Sequence, residues 1–327
     1  MDSEYVVRLL TPHDAAEMPD LALQVYGEGY FHREVFDPGE LLKMNAERKL
    51  TSAVGVDKTG RVVAHAALER PNLERFAKLG EAMVLAEHRN ANLLGRIGIV
   101  LVQAALDQRV VGLYGEAVTH HVYSQKAAER YQSTPTGIRF GAWSLAGFKL
   151  DNFPQRLTPI VYFKYLTSAP KKILYVPDNH RALAREIYGR LGSEIEFGDA
   201  RSSDSDGEVT FRYDADQRAG LIAVIYPGRA SVRQVIQATR SLIDESGAEA
   251  VFVDVMIDEP SAPQVCLELE RAGFFFSGIQ PHVNEDRDLL RLQIERKPID
   301  LKLVETASEF ARTLLDYIAR ERDRIAR

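Results

Sequence analysis

The residues best placed by type and spacing to do chemistry lie in the first half of the chain. Gly80-Glu81-Ala82-Met83-Val84-Leu85 reads as a strand. It passes through Glu87-His88-Arg89 into Asn90-Ala91-Asn92-Leu93-Leu94-Gly95 and then a helix. A tight strand-to-helix turn aims several backbone N–H groups at one spot. With the helix dipole they make a site for an anion such as a diphosphate. Glu81 on this strand and Glu116 on the strand candidate Gly112–Val118 can each take a proton from an ammonium, directly or through water. For Glu81 a surface carboxylate on a strand face is the simpler expectation. Tyr123 and Tyr131 frame the next helix. A phenol keeps its proton at neutral pH and so suits an acid, but either tyrosine also suits an amphipathic core.

Other candidates carry less. His120 and His121 are adjacent, so alternation sends them to opposite faces of an extended chain, poor geometry for one metal. No metal is expected. His120 can serve as a substrate contact or base, or as a hydrogen-bonded loop residue. Ser124 is expected to cap the helix that follows it. Cys266 falls in an apolar helical setting and is read as core. Tyr26, Tyr30, Phe31 and Phe36 form an aromatic group that either lines a pocket or packs two short helices.

The segment 79–95 resembles the acyl-CoA motif of the GNAT superfamily of N-acyltransferases: Arg or Gln, two residues, Gly, one residue, then Gly or Ala. Here those positions are Arg89, Asn92 and Leu94. The resemblance runs from about residue 5 to 145. It takes in Tyr26-Gly27, the Phe36-Asp37-Pro38 corner, Glu116 to Lys126, and Thr136-Gly137-Ile138-Arg139-Phe140-Gly141. Asn92 stands in place of the first glycine and tolerates the left-handed region better than other side chains. Leu94 stands in place of a small residue and would crowd a diphosphate if it pointed inward.

The resemblance implies an acyl-CoA cosubstrate, in the first place acetyl-CoA, and direct attack by an amine of a small molecule on the thioester. Arg89, Asn90, Ala91, Asn92, Leu93, Leu94, Gly95 and Ser124 would hold the cofactor. Backbone groups of Ala82, Met83 and Val84 would pair with pantetheine and polarise the carbonyl. Glu116 is the implied base, Tyr131 or Tyr123 the acid, and His120 a further candidate. Tyr26, Tyr30, Phe31 and Glu81 would face the acceptor. Two rivals stay open: a non-catalytic ligand-binding or sensing protein of the same fold, and an aminoacyl-tRNA-dependent transferase.

The elements that must position these residues follow from periodicity. Strands are expected at Tyr5–Leu9, 52–56, 62–68, 78–85, Gly112–Val118, 138–145 and 160–166, with helices over 11–29, 40–49, from Leu93, and over 123–131. Asp57-Lys58-Thr59-Gly60 reads as a hairpin turn. After Ala169-Pro170-Lys171-Lys172, a plausible linker, the pattern resets. Strands are expected at 173–176, 209–213, 219–225, Ala250–Met256, 274–279 and 289–294, with helices at 181–191, 232–245 and 263–272. The polar stretch 198–207 reads as a mobile loop. A last helix spans about 304–326, with Thr306 and Glu309 at capping-box spacing.

The element order gives an α/β (α+β) fold class, and the resemblance implies two tandem GNAT-like domains, each a mixed, mostly antiparallel sheet flanked by helices, plus a C-terminal helix. The expected domains are 1–168, a degenerate copy over 169–299, and the helix 300–327. In the second half the turn Tyr226-Pro227-Gly228-Arg229-Ala230-Ser231 stands where a phosphate turn belongs but lacks the motif. Such a fused pair would be a monomer acting as an internal pseudo-dimer, or a homodimer.

Composition sets the outer limits. The chain has 327 residues, enough for two domains. Lys+Arg total 41 against 47 Asp+Glu, a net charge of −6, which disfavours nucleic acid as the main partner. One cysteine excludes an internal disulfide and any multi-cysteine zinc site. No apolar run is long enough for a membrane helix, and the first ten residues lack a signal pattern, so the cytoplasm is the expected location.

Overall fold

The computed structural model describes residues 4–150, 152–284 and 287–327, without the side chains of 282–284. It divides into two compact units: Met1–Glu116 with Leu145–Phe153, and Ala117–Ser144 with Pro154–Arg327. Residue 168, the expected domain end, lies inside the second unit, because the strands that follow Glu116 pair with later ones there. No helix among the described residues is long and apolar enough to cross a membrane.

In chain order the first unit is β1 (Tyr5–Leu9), α1 (Pro12–Ala15), α2 (Met18–Val25), α3 (Pro38–Ala46), β2 (Leu50–Asp57), β3 (Val62–Glu69), β4 (Phe76–Val84), α4 (Leu93–Asp107) and β5 (Gly112–Val118). Strands β1 to β4 pair in sequence, all antiparallel. β5 joins β4 in parallel, as it must when α4 carries the chain back along the sheet. The hairpin expected at 57–60 is present. Asp57 Oδ1 accepts from Thr59 N at 2.8 Å and Arg61 N at 3.1 Å, and Gly60 takes the positive φ that closes the turn. Leu93, Ile97, Leu101, Ala104 and Ala105 give α4 its buried stripe.

The single helix expected over 11–29 is two. Pro12 and Pro19 each sit in a first turn, where a missing N–H costs nothing, so the chain starts a helix twice. Asp14 anchors the first by accepting from Thr11 N at 2.7 Å and pairing with Arg8.

The second unit holds α5 (Tyr123–Arg130), β6 (Thr134–Ile138), β7 (Pro159–Tyr165), β8 (Lys172–Leu174), α6 (Asp178–Arg190), β9 (Ile195–Phe197), β10 (Glu208–Asp214), β11 (Ala219–Tyr226), α7 (Ser231–Arg240), β12 (Ala250–Met256), α8 (Ala262–Arg271), β13 (Phe275–Asn284), β14 (Arg287–Glu295) and α9 (Glu309–Ile325). Its main sheet runs β7-β6-β13-β14-β12-β11-β10, with β8 and β9 as a separate parallel pair. Only β11 and β12 lie parallel within that sheet. The join between β6 and β13 is at Gly137↔Gly278. A Cβ on Gly278 would fall on the Cα of Gly137, so this approach is open to two glycines and to little else.

The pairing order recurs along the chain. β3/β4 antiparallel, β4/β5 parallel and β6/β7 antiparallel are followed by β10/β11 antiparallel, β11/β12 parallel and β13/β14 antiparallel, with a helix at each corresponding place.

Three sequence expectations are corrected here. The strand expected over 138–145 is Thr134–Ile138, with Trp143 making a single bridge to Leu157. The last helix begins at Glu309, not near 304. Ser308 is its cap and accepts from Ala311 N at 3.3 Å, and the Thr306–Glu309 box is not used. The segment 198–207 is not loose: Arg201 N donates to Pro260 O at 2.9 Å, and Arg229 N to Ser205 O at 3.0 Å.

Candidate functional site

The ladder between β4 and β5 runs from Phe76↔Gly112 to Leu79↔Gly115. β4 continues to Val84 and β5 past Glu116, unpaired with each other among the described residues. On its other edge β4 carries a bulge. His65 pairs with Met83 and Ala67 with Gly80, so Glu81 and Ala82 together face Ala66 alone. Glu81 takes a left-handed φ of 51°. The extra residue reverses the alternation and turns the Glu81 side chain inward, where its carboxylate is 0% exposed. The expectation of a surface carboxylate is thereby overturned.

Around Glu81 stand groups that sequence reasoning missed. His32 Nδ1 lies 3.6 Å from Glu81 Oε1 and 3.0 Å from Glu34 Oε1. Glu69 at the end of β3 pairs with Lys78, 3.2 Å away and directly opposite in the ladder. Burial, then the Glu34 and Glu69 carboxylates, push the Glu81 carboxyl well above its usual range. Burial alone would raise Glu34 too, but the hydrogen bond from His32 holds it below. Lys78 is raised: burial acts against its charge, but Glu69 and Glu116 outweigh it. His65 Nδ1 is 3.1 Å from the Glu81 carbonyl. A carbonyl only accepts, so the proton sits on Nδ1 and Nε2 keeps a lone pair, buried and without a hydrogen-bond partner. Burial brings this imidazole down to about 4.

The aromatic group sits beside the bulge. Tyr26 stacks on Tyr30, centroids 4.2 Å apart and planes 6° off parallel. The Tyr26 hydroxyl donates to Ala82 O at 2.8 Å, and burial pushes it up to about 12. Phe148, from 145–153, packs edge-on against Tyr26 and Phe31. Tyr30 is 3% exposed and so is core, and Phe31 is half-buried.

The strand-to-helix turn is built as expected and filled differently. A 3-10 segment, Ala86–Ala91, leads to Asn92 at φ 51°, ψ 33°, and α4 starts at Leu93. The side chain of Asn92 folds over Gly95, where a Cβ would collide with it. Arg89 and Asn90 are exposed, Leu94 is half-exposed, and Leu93 is buried in the core against Gly55. The turn is pinned to β1: Arg96 donates to Tyr5 O at 2.8 Å, and the Tyr5 hydroxyl meets His88 Nδ1 at 2.9 Å. Met83 and Val84 are both laddered to β3.

The remaining candidates are in the second unit. His120 and His121 precede α5, with centroids 4.3 Å apart. Burial, then His121, brings His120 down to about 4. Tyr123 is 76% exposed at the start of α5, while Tyr131 follows its end and is raised by burial. Eight residues of helix put them roughly 12 Å apart along the axis, so only one can serve a given proton. Ser124 does not cap α5. The cap position is Val122, and the Ser124 hydroxyl is buried without a hydrogen bond. Cys266 is core, its thiol pushed up by burial. The second turn is closed from within: Arg229 N donates to Ser205 O at 3.0 Å and Ala230 N to Asp206 O at 3.2 Å. Gly228 N donates to Ser231 Oγ at 2.9 Å.

No protein-family model and no curated protein matches the sequence. Solved structures of acetyltransferases do resemble half of it. The ribosomal-protein-S5-alanine acetyltransferase from Vibrio fischeri is 15% identical over 50% of this chain and 94% of its own, with TM-score 0.41. Mutant forms of the spermidine/spermine N-acetyltransferase SpeG from Vibrio cholerae are 12% identical over 50% and 95%, with TM-score 0.41. An acetyltransferase of the GNAT family from Staphylococcus aureus Mu50 is 13% identical over 50% and 99%, with TM-score 0.36. Each of these alignments spans about half of this chain and nearly all of the other.

Proposed function

We propose that the chain is an acyl-CoA-dependent N-acyltransferase, using in the first place acetyl-CoA and an amine of a small molecule. The observation that carries this reading is the parting of β4 and β5 beyond Leu79↔Gly115, beside the inward-turned Glu81. An acyl-pantetheine arm laid in that opening would meet backbone donors of β4. Glu116, just past the last ladder pair, takes a proton from the acceptor ammonium. The free amine attacks the thioester carbon, and donors of Ala82 to Val84 steady the oxyanion. Collapse breaks the C–S bond, and the thiolate takes a proton from Tyr131, with Tyr123 and His120 as alternates. The extra proton still on the attacking nitrogen passes through water to the phenolate or alternate base so formed, leaving the neutral amide. Tyr26, Phe31 and Glu81 face the acceptor. Residues 169–299 are read as a degenerate copy, on the recurring pairing order and the closed second turn.

The Asn92 side chain over Gly95 favours a second reading, a ligand-binding protein that kept the fold without turnover. Calorimetry with acetyl-CoA, then thiol release over a panel of amines with wild type and Glu116→Gln, separates them. Turnover lost in Glu116→Gln supports the transferase. Binding without turnover on any amine supports the second reading, and no binding overturns both.

A further inference from the structure

His32, Glu69 and Glu81 come from three separate segments: the stretch after α2, the end of β3 and the bulge of β4. One ligand-capable atom from each lies within 4.8 Å of the other two. Neither Glu81 oxygen has a hydrogen-bond partner, although the side chain is fully buried. Its neighbours in this nook are the carboxylates of Glu34 and Glu69 and the His32 imidazole, so three acidic groups and one nitrogen ligand crowd a single space. Gly80 completes the arrangement: Glu69 Oε1 occupies the space where a Cβ at residue 80 would stand.

A second cluster in the chain shows what a self-sufficient one looks like. His180, Glu270 and Glu321 also converge. There Arg324 bridges both carboxylates, at 2.7 and 2.6 Å, and His180 Nδ1 meets the Tyr317 hydroxyl at 2.7 Å. The protein supplies the positive charge itself. In the first cluster Lys78 pairs with Glu69 at 3.2 Å and lies in the field of Glu116, and its charge offsets only part of what burial and the carboxylates do to Glu81.

We propose that His32, Glu69 and Glu81 form a site for a divalent first-row transition ion of the Zn(II) class. One imidazole with carboxylates is the mixed donor set such ions take. Zn–N and Zn–O bonds of roughly 2.0–2.1 Å give tetrahedral edges near 3.4 Å. The 3.6 Å between His32 and Glu81 is already close to such an edge. Glu69 closes the rest by rotating off Lys78. Glu34, 3.0 Å from His32 Nδ1, is within reach as a fourth ligand. This site goes beyond the acyl-transfer reading and does not depend on it.

The test uses the full chain, stripped with a chelator and titrated with Zn(II) against a chromophoric chelator, and with Co(II) by visible absorption. One equivalent should bind, and Co(II) should show the strong bands of a four-coordinate ion. Glu81→Gln, Glu69→Gln and His32→Asn should each weaken Zn(II) by at least about tenfold, the lower range even for outer-shell partners. His121→Asn, which removes the adjacent-histidine alternative, should change nothing. Circular dichroism reports folding of each variant. If Glu81→Gln misfolds, Glu69→Gln and His32→Asn still read the site. No binding, or binding lost in His121→Asn and kept in the other variants, overturns the proposal.

Discussion

Glu69 sends its carboxylate across β4 into the space above Gly80, where any other residue would carry a side chain. The two residues are near neighbours in the β3–β4 ladder, with Glu69 opposite Lys78 and Ala67 opposite Gly80. Gly80→Ala should therefore move the end of one flexible side chain and little else. The stability change should stay within about 1 kcal/mol, since alanine also restricts the unfolded chain. Zn(II) affinity should fall as it does in Glu69→Gln. Urea melts and chelator competition on one preparation check both halves.

At Gly278 the obstacle is backbone, and backbone cannot rotate away. Gly278→Ala should cost about 1–3 kcal/mol or more, the range for forcing extra carbon into a filled space. Its φ of 154° adds to the strain. A urea midpoint that does not move would mean that β6 and β13 are not in register at Gly137.

Acid should loosen the clasp on α9. Burial alone would raise the Glu270 carboxyl, but hydrogen bonds and charge from His180 and Arg324 outweigh it and hold it below its ordinary 4.5. A depressed carboxyl contributes stability above its unfolded value, and that contribution drains away as pH falls through the folded one. Glu270→Gln should flatten the acid side of a stability–pH curve. At neutral pH it should cost about 3–5 kcal/mol, the range for breaking a buried pair. Thermal melts from pH 3 to pH 7 read both effects.

Arg89→Glu reverses an exposed charge at the first turn. Acetyl-CoA affinity should drop by about tenfold or more, the worth of one charge-assisted contact, with unchanged circular dichroism. Unchanged affinity by calorimetry removes the turn from the proposed site.

Asn92→Gly works the other way. It relieves a left-handed φ that costs side chains roughly 1–2 kcal/mol, somewhat less for asparagine, and it clears the carboxamide from over Gly95. Acetyl-CoA should bind more tightly. Weaker binding would mean that the carboxamide is itself a ligand contact.

How far the sequence spoke depends on the range of the interaction. Most of the α4 stripe, from Leu93 to Ala104, was legible because helical spacing is local. So was the Asp57–Gly60 hairpin, whose own side chains close it. Glu81 was misread because a single bulged residue reverses alternation, and a bulge is a property of two strands. Glu69 and Lys78 meet only once the β3–β4 register is known. His32 reaches the nook from a connection with no periodicity at all. The segment 198–207 has the composition of a loose loop, yet its partners are the distant Arg229 and Pro260.

Those partners have a consequence for ligand stoichiometry. Where the later strand-to-helix corner would greet a nucleotide, the peptide groups of Ser205 and Asp206 already answer its amides. Restoring the missing glycines there would not awaken it, since an intramolecular guest at high effective concentration must first be evicted. A saturation curve for the thioester should level at a single equivalent per polypeptide, without sigmoidal character.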